Sequence, residues 1–207
     1  MVSRYARGLT ALAGLLLLSA SPLAGQSSPE SSLRPELEEL RRTTERFRDV
    51  EVALSEGYVP DPSGMCMMAE MEGWPRQLGG MGIHYFRPDL LGITATEPLV
   101  TGTGTHTDFR TPGILVYMPD AEGELELVAI ENLVFAEAWH AAGNEARPEF
   151  LGQEYYHLVE NPETPVLEAH GFAPHYELHL WVHRENRAGV FAPFNPDLAC
   201  PGTRDAV

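Results

Sequence analysis

His175-Tyr176-Glu177-Leu178-His179-Leu180-Trp181-Val182-His183 alternates without a break. Successive side chains of a strand point to opposite faces, so Tyr176, Leu178, Leu180 and Val182 share one face. His175, Glu177, His179, Trp181 and His183 share the other. A period of two, not 3.6, places the stretch in a sheet. The apolar face needs a covering layer, and the other gathers groups that ligate metals and carry protons.

The pairing partners lie upstream. Met81 to Phe86 reads as a short strand stopped by Arg87-Pro88. Gly113 to Met118 is an almost continuous apolar run, as a central strand requires. The turn Pro119 to Gly123 joins it to a strand from Glu124 to Phe135, making a hairpin. Downstream, Arg184 to Gly189 turns the chain into a last strand, Val190 to Phe194, with Pro193 marking an edge. Ahead of them all, Pro35 opens a helix whose Leu37, Leu40, Thr44, Phe47, Val50 or Glu51, and Leu54 recur every three or four residues. Gly57 ends it and Pro60 prevents its continuation. The class is α+β: an N-terminal helix packed on a curved, mainly antiparallel sheet or small barrel of about five strands.

Three connectors are long. Asp61 to Gly80 is rich in Met, Gly and Pro and reads as a covering loop pinned by Met71 and Trp74. Leu91 to Arg110, with Thr101-Gly102-Thr103-Gly104-Thr105, reads as an exposed loop without the spacing or the Lys of a phosphate-binding loop. Arg147 to Pro174 is irregular, with Tyr155-Tyr156-His157 placed to cross the mouth of a cleft.

Residues 1–25 read as a secretory signal: Arg4 and Arg7, an apolar run over Leu12 to Ala20, then small residues. The run is too short to span a bilayer. Residues 26–34 form a flexible linker and 35–207 a single domain, secreted or periplasmic and free of the membrane once the signal is cut. The net charge of −16 becomes −18 when Arg4 and Arg7 leave with the signal. So negative a surface argues against nucleic acid and anionic membranes as partners and reads first as solubility; the expected partner is a small molecule or a metal ion. Cys66 and Cys200 are the two cysteines, and in an exported chain they predict one disulfide. The alternative is a copper site of Cys and Met, since Met65, Met67, Met68, Met71 and Met81 cluster nearby.

Glu131 interrupts the stripe Leu125, Leu127, Ala129, Leu133 and Phe135. A buried carboxylate without a partner is costly, so Glu131 needs a metal, a His or an Arg, unless a β-bulge near Ile130 turns it outward. On a straight strand His175 and His179 stand about 13 Å apart, too far to share one ion. His84, Glu131 and His179 from neighbouring strands would make a two-His, one-carboxylate set suited to Zn²⁺ or Fe(II), and a copper ion is a third choice. His175 would then handle protons as the catalytic histidine, and Glu177 pairs with either histidine. Three functions fit: a metal-dependent enzyme, a non-enzymatic module for a metal or small ligand, and a metal-free acid–base pair of Glu131 and a His. The bland alternative is a solvated polar face over an apolar core. No G-x-S-x-G, H-E-x-x-H or dinucleotide fingerprint is present.

Met81-Gly82-Ile83-His84-Tyr85, His175-Tyr176-Glu177-Leu178-His179-Leu180-Trp181 and the tail Asn195-Pro196 to Cys200 resemble a family of exported bacterial proteins. Its pattern is M-G-I-H-Y, an acidic hairpin, H-Y-[DE]-L-H-x-W and a final N-P and Cys, over most of the chain from Tyr58. The resemblance implies export and the grouping of His84, Glu131, His175 and His179, and implies no particular reaction.

Overall fold

The computed structural model describes residues 29–164, 166 and 168–201. The signal read at residues 1–25 lies outside them. The sheet and the site belong to one compact unit, Leu33–Val207.

Helix α1 (Pro29–Thr44) passes through Pro35, which was expected to open it. Residues 29–34, expected as loose linker, are its first turns. The apolar stripe does not continue as one helix. A 3₁₀ turn (Glu45–Arg48) follows, and Asp49 adopts an extended backbone (φ −87°, ψ 108°). Its carboxylate accepts from the Glu51 amide and caps a second helix, α2 (Val50–Ser55). The break re-aims the stripe: Leu40, Phe47 and Ala53 are buried while Leu54 is exposed.

One antiparallel sheet of seven strands carries the unit. The strands are β1 (Val59–Pro60), β2 (Met67–Met68), β3 (Gly80–Phe86), β4 (Ile114–Pro119), β5 (Leu125–Phe135), β6 (Tyr156–Leu158) and β7 (His175–Leu180). Their order is β1-β3-β4-β5-β7-β6, with β2 also paired to β3, and the sheet does not close into a barrel. The hairpin β4–β5 is as expected. Two expectations fail. Tyr156 to Leu158 pairs with β7 as a strand and does not cross a cleft. Val190 to Phe194 is turn and bend: Trp181 donates its amide to the Val190 carbonyl, and Asn195 makes a single bridge to Gly80.

A bulge in β5 sets the faces. Val116 opposes Ala129 but Tyr117 opposes Leu127, so Val128 is the extra residue. Val128 and Ala129 therefore fall in the same apolar cluster. Before the bulge Leu125 and Leu127 face the helices, with Leu115, Tyr117, Tyr176, Leu178 and Leu180. After it the parity is reversed: Ile130 and Val134 face the helices, and Leu133 and Phe135 face the opposite way. The Tyr117 hydroxyl donates to the Phe47 carbonyl and ties sheet to 3₁₀ turn.

Loops cover the second face. Leu91, Phe172, Phe86 and Val100 pack on Ile114, Leu133 and Phe135. The 91–110 segment is exposed over residues 94–98 as expected, but Leu91 and Val100 anchor it on the sheet. A Cβ at Gly102 would stand 2.3 Å from the Phe135 ring, so glycine is what allows this approach. Trp181 and Leu198 cover Val116, Met118 and Ala129. Met65, Met67, Met71 and Met81 pack with Phe194, whereas Trp74, expected to pin its loop, is 55% exposed. Cys66 and Cys200 form a disulfide, which leaves no thiol for a Cys/Met copper site. Among the described residues no helix is long and apolar enough to cross a membrane.

Candidate metal centre

Between these loop-covered clusters the second face turns polar. Strand β3 brings His84, β5 brings Glu131, and β7 brings His175, Glu177 and His179. All five are buried. The register makes His179 the direct cross-strand neighbour of Glu131. The bulge expected as a way to turn Glu131 outward does exist. It lies at Val128, before Glu131, and moves Leu127 to the helix side instead.

Glu131 Oε2 stands 3.2 Å from His179 Nε2 and 3.4 Å from His84 Nε2. One ligand atom from each residue lies within 4.8 Å of the other two. Yet Glu131 Oε2, His84 Nε2 and both ring nitrogens of His179 have no hydrogen-bond partner. The atoms approach one another without pointing along hydrogen-bond axes. Metal–ligand bonds of 2.0–2.2 Å put tetrahedral ligand atoms ~3.3–3.6 Å apart. The two Glu131 contacts nearly match that edge.

A cavity of about 20 Å³ adjoins this triad, walled by His84, Glu131, Glu177, His170, Asp61, Met65 and Met67 among others. That is room for one water-sized species.

The electrostatics favour a cation. Burial pushes the Glu131 carboxyl up, but the charge and contact of His179, with those of His84, hold it well below the ordinary range. Burial pushes His179 down, and Glu131 followed by Glu177 reverses this and raises it. Burial and Glu131 push Glu177 up, but His175, His170 and His179 bring it below the ordinary range. A field that draws a proton to His179 draws a metal ion to the same place.

His175 sits apart from the triad, as strand spacing requires. Its Nδ1 lies 3.0 Å from the Ala173 carbonyl, which only accepts, so Nδ1 donates. Its Nε2 lies 3.2 Å from Glu177 Oε2. Its route to the cavity is through Glu177. His183 is not on this face at all. β7 ends at Leu180, and His183 Nε2 donates to the Thr44 hydroxyl at 2.8 Å, since that hydroxyl already donates to Leu40 O.

Two members went unseen in the sequence. Glu72 lies in the 3₁₀ turn Ala69–Glu72 and His170 in the loop before β7. Glu72 Oε1 and His170 Nε2 are 2.7 Å apart. Burial lowers His170, but Glu72, with Glu177 and Glu131, pushes it up to about 9. Burial raises the Glu72 carboxyl even against His170. Neither residue belongs to a periodic stretch; Gly171, following His170, was the one hint of a specific turn.

Comparison of the chain with protein-family models, curated proteins and solved structures finds no match.

Proposed function

We propose that the chain is an exported metal-binding protein whose ion is held by His84, Glu131 and His179, with the cavity on its remaining side. The carrying observation is the convergence of three buried ligand atoms, 3.2 and 3.4 Å apart at Glu131, that make no hydrogen bonds. Two imidazoles and a carboxylate suit Zn²⁺ as a tetrahedral ion with one open position, and suit Fe(II) in its two-His, one-carboxylate set. The disulfide supports an oxidising, extracytoplasmic setting.

An open position beside Glu177 makes a metal-dependent enzyme acting with a water-sized reactant the leading form of this reading. A metal-binding module without a reaction is the second, and it follows if the fourth position is closed by the protein. In either form His175 acts by holding Glu177.

Elemental analysis of protein purified without chelator tests the centre. About one equivalent of zinc or iron is expected, falling below a tenth of an equivalent in Glu131→Gln. A metal-free wild-type protein that also fails to take up added Zn²⁺, Fe²⁺ or Co²⁺ would leave the metal-free acid–base pair of Glu131 and His179 standing instead.

A further inference from the structure

We propose that His170, oriented by Glu72, is a fourth ligand for the same ion, borne on a loop where the other three are borne on the sheet. This rests on the metal reading above.

Four observations meet here. His170 forms part of the wall of the cavity that His84 and Glu131 also line. Its ring centroid is 6.0 Å from that of His84, the same separation as between His84 and His179. Glu72 Oε1 stands 2.7 Å from Nε2 as a close ion pair rather than an aligned hydrogen bond, and Nδ1 makes no hydrogen bond among the described residues. A carboxylate at one imidazole nitrogen with a metal at the other is the usual way a ligating histidine is oriented and made more basic. Finally, His170 has φ 55°, in the left-handed region, and such conformations are held where a site requires them.

The pair is otherwise hard to explain. Glu72 has a side chain only 2% exposed, and the group it pairs with is one imidazole. A buried ion pair seldom adds stability over apolar groups of the same size. As an orienter of a ligand, Glu72 has a reason to be there.

His170 sits outside the 4.8 Å group formed by His84, Glu131 and His179, so ligation draws its loop inward. Being loop-borne, it is also the ligand that an incoming small molecule can displace. The centre would be closed when the loop is in and open when it is out, with the sheet ligands unchanged.

Co²⁺ titration of the purified protein, followed by visible absorption, tests this. Wild type should bind one equivalent with the strong absorption of four-coordinate Co²⁺. His170→Ala should still bind one equivalent, about 10- to 100-fold more weakly and with an altered spectrum; Glu72→Gln should lose about 10-fold in affinity. His170→Asn repeats the measurement with a side chain that better preserves loop packing. If both His170 variants keep wild-type affinity and spectrum while Glu131→Gln loses binding, His170 is not a ligand and the proposal falls alone. If wild type binds no Co²⁺, the metal reading falls and takes the proposal with it.

Discussion

His179 and Glu131 face each other across β7 and β5 as direct register partners, with Nε2 and Oε2 3.2 Å apart and both side chains at most 2% exposed. Removing Glu131 takes the nearest carboxylate from both His179 and His84 and leaves His179 only Glu177 Oε1, 3.9 Å away. Breaking a buried charged pair by removing one partner typically costs 3–5 kcal/mol. Glu131→Ala should therefore lower the free energy of unfolding by ~3 kcal/mol or more, measured by denaturant titration, apart from any metal effect. A loss below ~1 kcal/mol in the metal-free protein would mean the pair is not desolvated as described.

Metal uptake should be proton-coupled. Imidazole and carboxylate ligate only when unprotonated, and Glu131 with Glu177 holds a proton on His179 more tightly than usual. Affinity should fall as pH falls, and binding in weak buffer should release protons, seen as a buffer-dependent calorimetric heat. Equal affinity at pH 5 and pH 8 would contradict the ligand set.

His183 predicts a separate acid dependence. Burial, followed by the charge of Arg48, pushes it down to about 4, and it stands neutral against Thr44. The unfolded chain takes up this proton near pH 6.5 and the folded one only near 4. The unfolded state thus binds more protons in that window, and stability falls as pH drops through it, by ~3 kcal/mol at the lower end. In His183→Gln that slope between pH 6.5 and 4 should flatten, while metal occupancy stays at the wild-type level.

The Cys66–Cys200 bridge closes a separation of 134 residues. In the chain-entropy model such a closure is worth ~4–5 kcal/mol. The double variant Cys66→Ser/Cys200→Ser should unfold at markedly lower denaturant, and the reduced wild type should match it.

Gly82 has φ +123°, and a Cβ there would stand 2.5 Å from the Tyr117 carbonyl oxygen. Gly82→Ala should cost at least about 2 kcal/mol, since both conformation and contact oppose it. Because β3 must shift to admit the methyl group, His84 two residues on should lose its place and metal occupancy should drop with it.

What the sequence made legible follows from periodicity. The alternation of His175 to Leu180 located β7 and both its faces; the odd carboxylate in the Leu125 to Phe135 stripe located Glu131. Spacing alone separated His175 from His179. Three kinds of information were not periodic. The bulge at Val128 has no residue signature, so Leu127 and Glu131 looked like face-mates. The end of β7 at Leu180 left His183 apparently beside the site. Glu72 and His170 lie in irregular loops, and loops over a sheet are placed by packing that no local pattern encodes. Asp49, by contrast, was readable as a cap in principle, but the apolar spacing ran through it.

The bulge at Val128 has one more implication. Along β5, odd-numbered positions before it and even-numbered positions after it belong to the helix-side core. One strand thus carries two independent substitution alphabets, joined at a single inserted residue. The half that pairs with β7 can exchange polar groups without touching the helix contacts of Leu125 and Leu127. Deleting Val128 would turn β5 into an uninterrupted strand in which Leu125, Leu127, Ile130 and Val134 keep the helix side and Glu131 keeps the other, whereas deleting any residue between Ala129 and Glu131 would drive Glu131 to the helix side or pull Leu125 and Leu127 out of it. Among single-residue deletions within β5, that of Val128 should be the best tolerated.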